Sequence, residues 1–437
     1  MSRRPSCQPI RCLRSMQPPE GELPPSSSRS QRLRLTIEDD DGGETTESEA
    51  LVSPLENDDL VADSLLLLPA LPSSLLRASL VCKRWFRVVS NPRFLRAFRA
   101  HHRKPPLLGL FNCNSGRIVF TPMLDPPDEI PVGRFALKVP LSTKLLCCHH
   151  GRVLMHDVVE QYFSVWEPVT GELCHISKPP SFVPYKMTFT DAAVLCASTD
   201  EGHVHGACHS DPFKVVVVAG DSERFYGCIY SSETRAWDSF LSIMWPPHIR
   251  IIHGTCGSQL FRNSICLLLL GEKLAILEFD WARQSLAVID VPYALDWCNF
   301  MSGRTQFLIK PSDGGGGLSF VVQEFFTVHV WKRASDSDGV ATWMLGNTIE
   351  LNSALSLGPP ADLRMRIVIM ESDDDGNVLF KKSNSPDVFM VNIESRKVMK
   401  LPKTYPFQDG HPFSSFYTPG MHVNTGCDDE VEKIPGA

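Results

Sequence analysis

Two stretches, "GRVLMHDVVEQYFSVWEPVTGELCHI" at residues 151–176 and "GNVLFKKSNSPDVFMVNIESRKVMKL" at residues 376–401, stand far apart in the chain and share one grammar. Each runs from glycine through an apolar strand, a loop, a second strand, a polar turn and a third strand. Three segments between them repeat it: "FKVVVVAGDSERFYGCIYSSETRAWDSF" from Phe213, "ICLLLLGEKLAILEFDWARQSLAVIDVP" from Ile265 and "LSFVVQEFFTVHVWKRASDSDGVATWMLGNTIEL" from Leu318. The polar turns fall near Pro168, Glu233, Trp281, Ser335 and Glu394, a period of roughly 50 to 65 residues. Antiparallel strands at that period are the signature of propeller blades. One four-stranded blade cannot cover both of its faces, whereas a closed ring covers every face and leaves only short edges. About 320 residues of such sequence, from 105 to 425, correspond to about six blades. A seven-bladed ring and a β-sandwich with long insertions are the alternatives.

Upstream of the strands the periodicity is helical. In "DDLVADSLLLLP" Leu60, Leu65 and Leu68 stand near helical spacing, and Pro69 and Pro72 then punctuate the chain. Ser73 or Ser74 can cap a second helix, on which Ala78, Val81, Cys82, Trp85, Val88 and Val89 share one face. Asn91 and Pro92 open a third, carrying Phe94, Leu95 and Phe98. The expectation is an α+β chain in which a three-helix module over residues 54–104 precedes an all-β, propeller-like domain over 105–425.

The ends differ from both. Residues 1–34 hold seven arginines and two acids, and residues 38–59 hold ten acids and no base. Too little apolar surface is available there to offset chain entropy, so residues 1–53 read as a disordered tail, basic then acidic, and 426–437 as a flexible C-terminal tail. The Arg and Ser bias is similar to that of an organelle transit peptide, a lesser reading beside nucleus or cytoplasm. Fourteen cysteines without a C-x-x-C pair, and no apolar signal region, favour reduced thiols. No apolar run approaches the roughly 18 residues of a membrane span.

Chemistry is sparse. The stretch "HVHGACH" at 203–209 offers three imidazoles and a thiol, but its spacing fits no established closed metal site, so it reads as a connector. In "CCHH" at 147–150 strand alternation sends one cysteine and one histidine to the core and the others outward. "GGGG" at 314–317 lacks the Lys-Ser/Thr of a phosphate loop, and "ESDDDGN" at 371–377 reads as a tight Asp-Gly hairpin turn. No nucleophile elbow, Walker loop or dinucleotide fingerprint is present, so no catalytic residue, metal ligand or cofactor is assigned. Nine basic residues without an acid between Arg77 and Lys104 remain to be explained. They fit either phosphates or an acidic protein partner.

The string "DDLVADSLLLLPALPSSLLRASLVCKRWFRVVSNPRFLRAFRAHHR" resembles an F-box, the module that docks substrate receptors on the Skp-type adaptor of cullin-RING ubiquitin ligases. The leucine run, the Leu-Pro, "SLVCKRW" and "SNPRF" occur in family order. It is most similar to the plant group in which such a module leads into a repeat-built, F-box-associated or kelch-like β domain; "WEPVTGE" and "SFYTPG" are similar to strings of that domain. The resemblance implies adaptor contacts at Leu60, Leu65, Leu66, Leu68, Pro69 and Leu71, partial ones at Leu75, Leu76 and Val81, and core positions at Trp85 and Phe94. Two departures, Glu56-Asn57 ahead of the acidic pair and Ser64 at a usually apolar position, imply weaker docking. The function it implies is a non-catalytic substrate-recognition subunit. Its partners are the Skp-type protein, cullin through it, and a target protein, with neither membrane nor nucleic acid involved. A nucleic-acid-binding protein using the basic helices, or a propeller enzyme with a metal near His203, His205 and His209, are the rivals.

Overall fold

The computed structural model describes residues 57–419, apart from residues 181–187, 199–202, 210, 222, 239, 246–257, 272, 313–316, 336–340, 356–365, 374–375, 384 and 408. The expectations for both tails, for Glu56 and for most of the glycine run lie outside the described residues.

Four helices come first: α1 (Asp58–Leu66), α2 (Pro72–Ser79), α3 (Lys83–Val89) and α4 (Pro92–His102). Asn57 caps α1 by accepting from the Asp59 N–H, and Asn91 caps α4 by accepting from the Arg93 N–H, with Pro92 in its first turn. The single helix expected across residues 73–89 is two. Cys82 is fully extended (φ −161°, ψ 165°), and this corner lets α3 fold back while Leu80 and Val81 are left in solvent. Apolar residues flank the corner on both sides, so the sequence period runs through it unbroken. Val61, Leu65, Leu75, Ala78, Val89, Phe94 and Phe98 form the core of this unit, with half-buried Trp85 against it. Neither Ser73 nor Ser74 caps α2; Leu71 occupies the cap position, and the Ser73 N–H donates to Asp128 Oδ1 at 2.8 Å, tying the helix to the β domain. Among the described residues no helix is long and apolar enough to cross a membrane.

Six antiparallel sheets follow, the blades of a six-bladed propeller. Blade 1 holds β1 (Leu107–Asn114), β2 (Arg117–Pro122) and β3 (Ala136–Lys138). Blade 2 is β4 (Thr143–His149), β5 (Arg152–Asp157), β6 (Tyr162–Trp166) and β7 (Leu173–Ser177). Blade 3 is β8 (Thr188–Cys196), β9 (Phe213–Gly220), β10 (Arg224–Ser231) and β11 (Ala236–Trp237), with β12 (Leu241–Met244) also on β10. Blade 4 is β13 (Gln259–Phe261), β14 (Ser264–Leu269), β15 (Ala275–Asp280) and β16 (Ser285–Asp290). Blade 5 is β17 (Thr305–Pro311), β18 (Leu318–Glu324), β19 (Thr327–Ser335) and β20 (Ala341–Glu350). Blade 6 is β21 (Ile367–Ser372), β22 (Val378–Lys382), β23 (Val388–Val391) and β24 (Val398–Lys400). The last strand, β25 (His411–Ser414), returns to pair with β1 as the innermost strand of blade 1.

Each copy of the sequence repeat is thus the second, third and fourth strand of a blade. Burial follows from blade stacking. β5 is buried at every position and β9 and β18 at six positions each, because neighbouring blades cover both faces; the outermost β7, β16 and β20 alternate. Cys147 and Cys148 do point to opposite faces, toward blade 3 and blade 1 respectively, yet both are interior, and His149 is buried as well. Of the half of "CCHH" expected to face outward, only His150 is left half-buried, at the axial cavity.

Apolar clusters join blades 1 and 2, blades 2 to 4, blades 4 and 5, blades 5 and 6, and blades 6 and 1. Closure rests on Phe413, buried on β25, whose ring lies 5.1 Å from Phe111 and 5.9 Å from Phe135. Phe413→Ala is expected to lower the stability of the ring by about 3–5 kcal/mol, read from urea unfolding. A cost below about 1 kcal/mol would show that β25 does not hold the ring shut.

Candidate functional site

Two surfaces carry side chains that the fold itself does not use. The first is the helical unit. Of the adaptor contacts implied by resemblance, Leu60, Pro69 and Val81 are exposed, Leu66, Leu68, Leu71 and Leu76 are half-buried, and Leu65 and Leu75 are enclosed in the core. Leu65 and Leu75 are thus structural: a residue that fills its own domain's interior has no face left for a partner. Phe94 is in that core and Trp85 at its margin. Sequence reading missed Leu67, Leu80 and Phe86, which are 73, 77 and 54% exposed. Leu67 and Leu80 follow the last residues of α1 and α2, where the chain leaves the helix and the helical period no longer predicts direction. Ser64 is exposed and turns its hydroxyl back to the Leu60 carbonyl at 2.8 Å, adding no apolar surface. Of the nine bases, seven are exposed; Arg84 pairs with Asp58, and burial lowers the Arg99 pKa, opposed by Cys208 and Asp211.

The second surface lies where the inner strands end. A cavity of about 600 Å³ is lined by Arg103, Lys104, His150, His205, Leu260 and Pro311, among others. These residues come from the end of α4, from the ends of inner strands and from the β8–β9 loop, so the cavity opens over the propeller axis beneath α4. His149 ends β4 and His150 follows it, and Asp373 follows β21; Asp373 accepts from the Asn377 N–H at 2.8 Å in the turn expected there. The loop brings together Cys196, His203, His205 and Cys208, whose ligand atoms all lie within 4.8 Å of one another. Hydrogen bonding with Cys208 pulls the Cys196 thiol down, and the same contact, with burial, pushes the Cys208 thiol up. His209 is not part of this group, which corrects the set His203, His205 and His209. Cys196 was missed because it belongs to strand β8, outside the histidine-rich string.

Deeper along the inner strands sit further ionisable groups. His411 Nδ1 on β25 lies 2.7 Å from Glu371 Oε2 on β21. Burial alone would lower His411, but Glu371, Asp409 and Asp191 hold it above the usual histidine range. Burial pushes Asp191 up to about 6, although it accepts from the Ala192 and Ser258 N–H groups. A folded-state pKa above the unfolded value means that the His411–Glu371 pair stabilises fully below about 6.5 and stops doing so as pH rises through the folded value. The stability difference between the wild-type chain and His411→Gln is therefore expected to be large near about pH 6 and to shrink toward about pH 9. Thermal unfolding across that range checks it, and a difference that grows with pH would contradict the pairing.

Residues 144–420 match the sequence model of a family described as "F-box protein AT5G49610-like, beta-propeller". No curated protein matches the chain. Among solved structures, a luciferin-regenerating enzyme aligns at 10% identity with a TM-score of 0.33, covering 65% of this chain and 87% of that one. Virginiamycin B lyase from Staphylococcus aureus aligns at 11% identity and 0.30, covering 70% and 85%. The Myceliophteria thermophila Cps50 (Swd1) β-propeller domain aligns at 8% and 0.33, covering 62% and 90%. These likenesses are too distant to transfer a function.

Proposed function

The chain belongs to this family of F-box-protein β-propellers, and on that premise we propose that it is a substrate-recognition adaptor of a Skp-cullin-F-box ubiquitin ligase. In this reading α1–α4 dock on a Skp-type adaptor and the propeller holds a target protein while other subunits transfer ubiquitin. Such a subunit works by raising effective concentration, so it needs no bond-making group of its own. It would act in the nucleus or cytoplasm, where that machinery operates.

One observation carries the reading: the family match covers a propeller that directly follows a four-helix unit with exposed Leu67, Leu80, Val81 and Phe86. Large apolar side chains in solvent on so small a unit suit a partner surface. The surrounding bases suit an acidic partner and would speed encounter more than they add affinity. Target contacts belong to loops at the propeller rims, since loops there are free of the packing that occupies the strands.

Binding of the full-length chain to a purified Skp-type adaptor, measured by calorimetry, tests this. Leu80→Asp and Leu67→Asp are each expected to weaken binding by about tenfold or more, roughly 1.4 kcal/mol, without lowering the unfolding temperature. Leu65→Ala is expected to lower that temperature instead, since it opens a cavity in the helical core, at about 2–5 kcal/mol. Absence of adaptor binding, together with steeply salt-dependent binding to nucleic acid that ignores Leu80→Asp, would overturn the proposal.

A further inference from the structure

The β8–β9 connection does more than join two strands. Cys196 is the last residue of β8, and His203, His205 and Cys208, which precede the start of β9 at Phe213, lie against it. Cys196 Sγ lies 3.4 Å from His203 Nε2, His203 Nε2 lies 3.2 Å from Cys208 Sγ, and Cys208 Sγ lies 3.6 Å from His205 Nδ1. In a tetrahedral zinc site, with Zn–S near 2.3 Å and Zn–N near 2.0–2.1 Å, neighbouring sulfur and nitrogen ligands stand about 3.5 Å apart. Three edges of such a tetrahedron are already at that length. Thiol–imidazole hydrogen bonds alone do not require four ligand groups to converge on one point, because each contact needs only two.

We infer that Cys196, His203, His205 and Cys208 form a closed structural zinc site on the propeller, of the Cys₂His₂ type. Two sulfurs and two imidazoles in tetrahedral array select zinc among the divalent ions, and four protein ligands leave no position for a reacting water.

The groups around the cluster are those that orient ligands. His203 uses Nε2 toward the cluster, and its Nδ1 faces Asp211 Oδ2 at 3.8 Å, a carboxylate behind a ligating histidine. The His150 ring stacks on His205 with centroids 3.7 Å apart, and its Nδ1 accepts from the Cys196 N–H at 2.9 Å. The Ser198 N–H donates to Cys196 Sγ at 3.4 Å. Arg152, buried and paired with Glu167 at 2.8 Å, donates to the carbonyls of Cys208 and Asp211. The loop is thus held in place by blade 2 before any ion binds.

The position of the site says what the ion would do. Gly206 lies between two of the ligands at φ +93°, and a Cβ there would stand 2.6 Å from Pro105, in the linker that leaves α4. Its carbonyl accepts from the Phe416 N–H at 2.9 Å and from Ser415 Oγ at 2.8 Å, just beyond the closing strand. One loop therefore touches the helical unit's linker, blade 2 and the closure of the ring. Zinc would lock it and fix one wall of the axial cavity. This inference does not rest on the adaptor reading.

Metal analysis of the full-length chain, expressed with zinc and purified without chelator, is expected to find one zinc per chain. Cys208→Ser and His203→Ala are expected to lose it, and Cys298→Ser, an exposed thiol outside the site, to keep it. A misfolded variant would also lose metal, so cobalt exchange into the wild-type chain is the second readout. Tetrahedral cobalt absorption with a thiolate charge-transfer band is expected, and chelation should lower the unfolding temperature by several degrees. A zinc-free protein, an octahedral cobalt spectrum, zinc retained in Cys208→Ser, or a Cys196–Cys208 disulfide in unreduced peptides would each overturn the site.

Discussion

The pairing of β25 with β1 is the contact on which the ring depends. Phe111 stands opposite His411 and Leu110 opposite Pro412, so the two ends of the propeller's chain are joined by a few backbone hydrogen bonds. Asn112 reinforces the joint by donating to the carbonyl and side chain of Asp409. Without this strand, blade 1 would show an inner edge, and the face it shares with blade 2 would lose Phe413. Loop-closure entropy grows only slowly with length, so a joint between distant segments is affordable once the aromatic cluster around Phe413 forms.

Closure also determines where polar chemistry can sit. Blade faces are filled by apolar side chains, which leaves the axis and the strand ends for charged groups. Asp191, Glu371 and His411 occupy inner strands, and Arg152 with Glu167 supports the loop at the axial mouth. A buried ion pair adds little net stability, because desolvation cancels much of the attraction, but it penalises any arrangement that separates the partners. Here that specificity falls on the loop that meets Pro105, so the helical unit and the propeller share one anchored junction.

The repeat was legible because the second to fourth strands of each blade lie in one continuous stretch of chain, with the turn before the fourth strand marked by polar residues. Inner strands such as β8 ("TFTDAAVLC") and β21 ("IVIMES") were not, since they mix core and axial side chains and follow no single period. The four-helix count was missed at Cys82, where a corner sits within an unbroken apolar rhythm. "CCHH" was misread because alternation tells opposite faces apart, whereas only the neighbouring blades decide whether both are covered.

Sequence by itself determined the division into a helical segment and a strand repeat, and the residues such as Phe94 and Phe98 whose period assigns them to a core; it put the blades at about six and left a seven-bladed ring open until the six sheets were seen. These are local properties: period, turn chemistry and repeat length act within a few tens of residues. Tertiary structure alone decided which leucines remain in solvent, which strand closes the ring, and that Cys196 meets His203, His205 and Cys208. Each depends on where the chain returns after a loop, and the energy that selects that return lies in contacts between segments, which no local window contains.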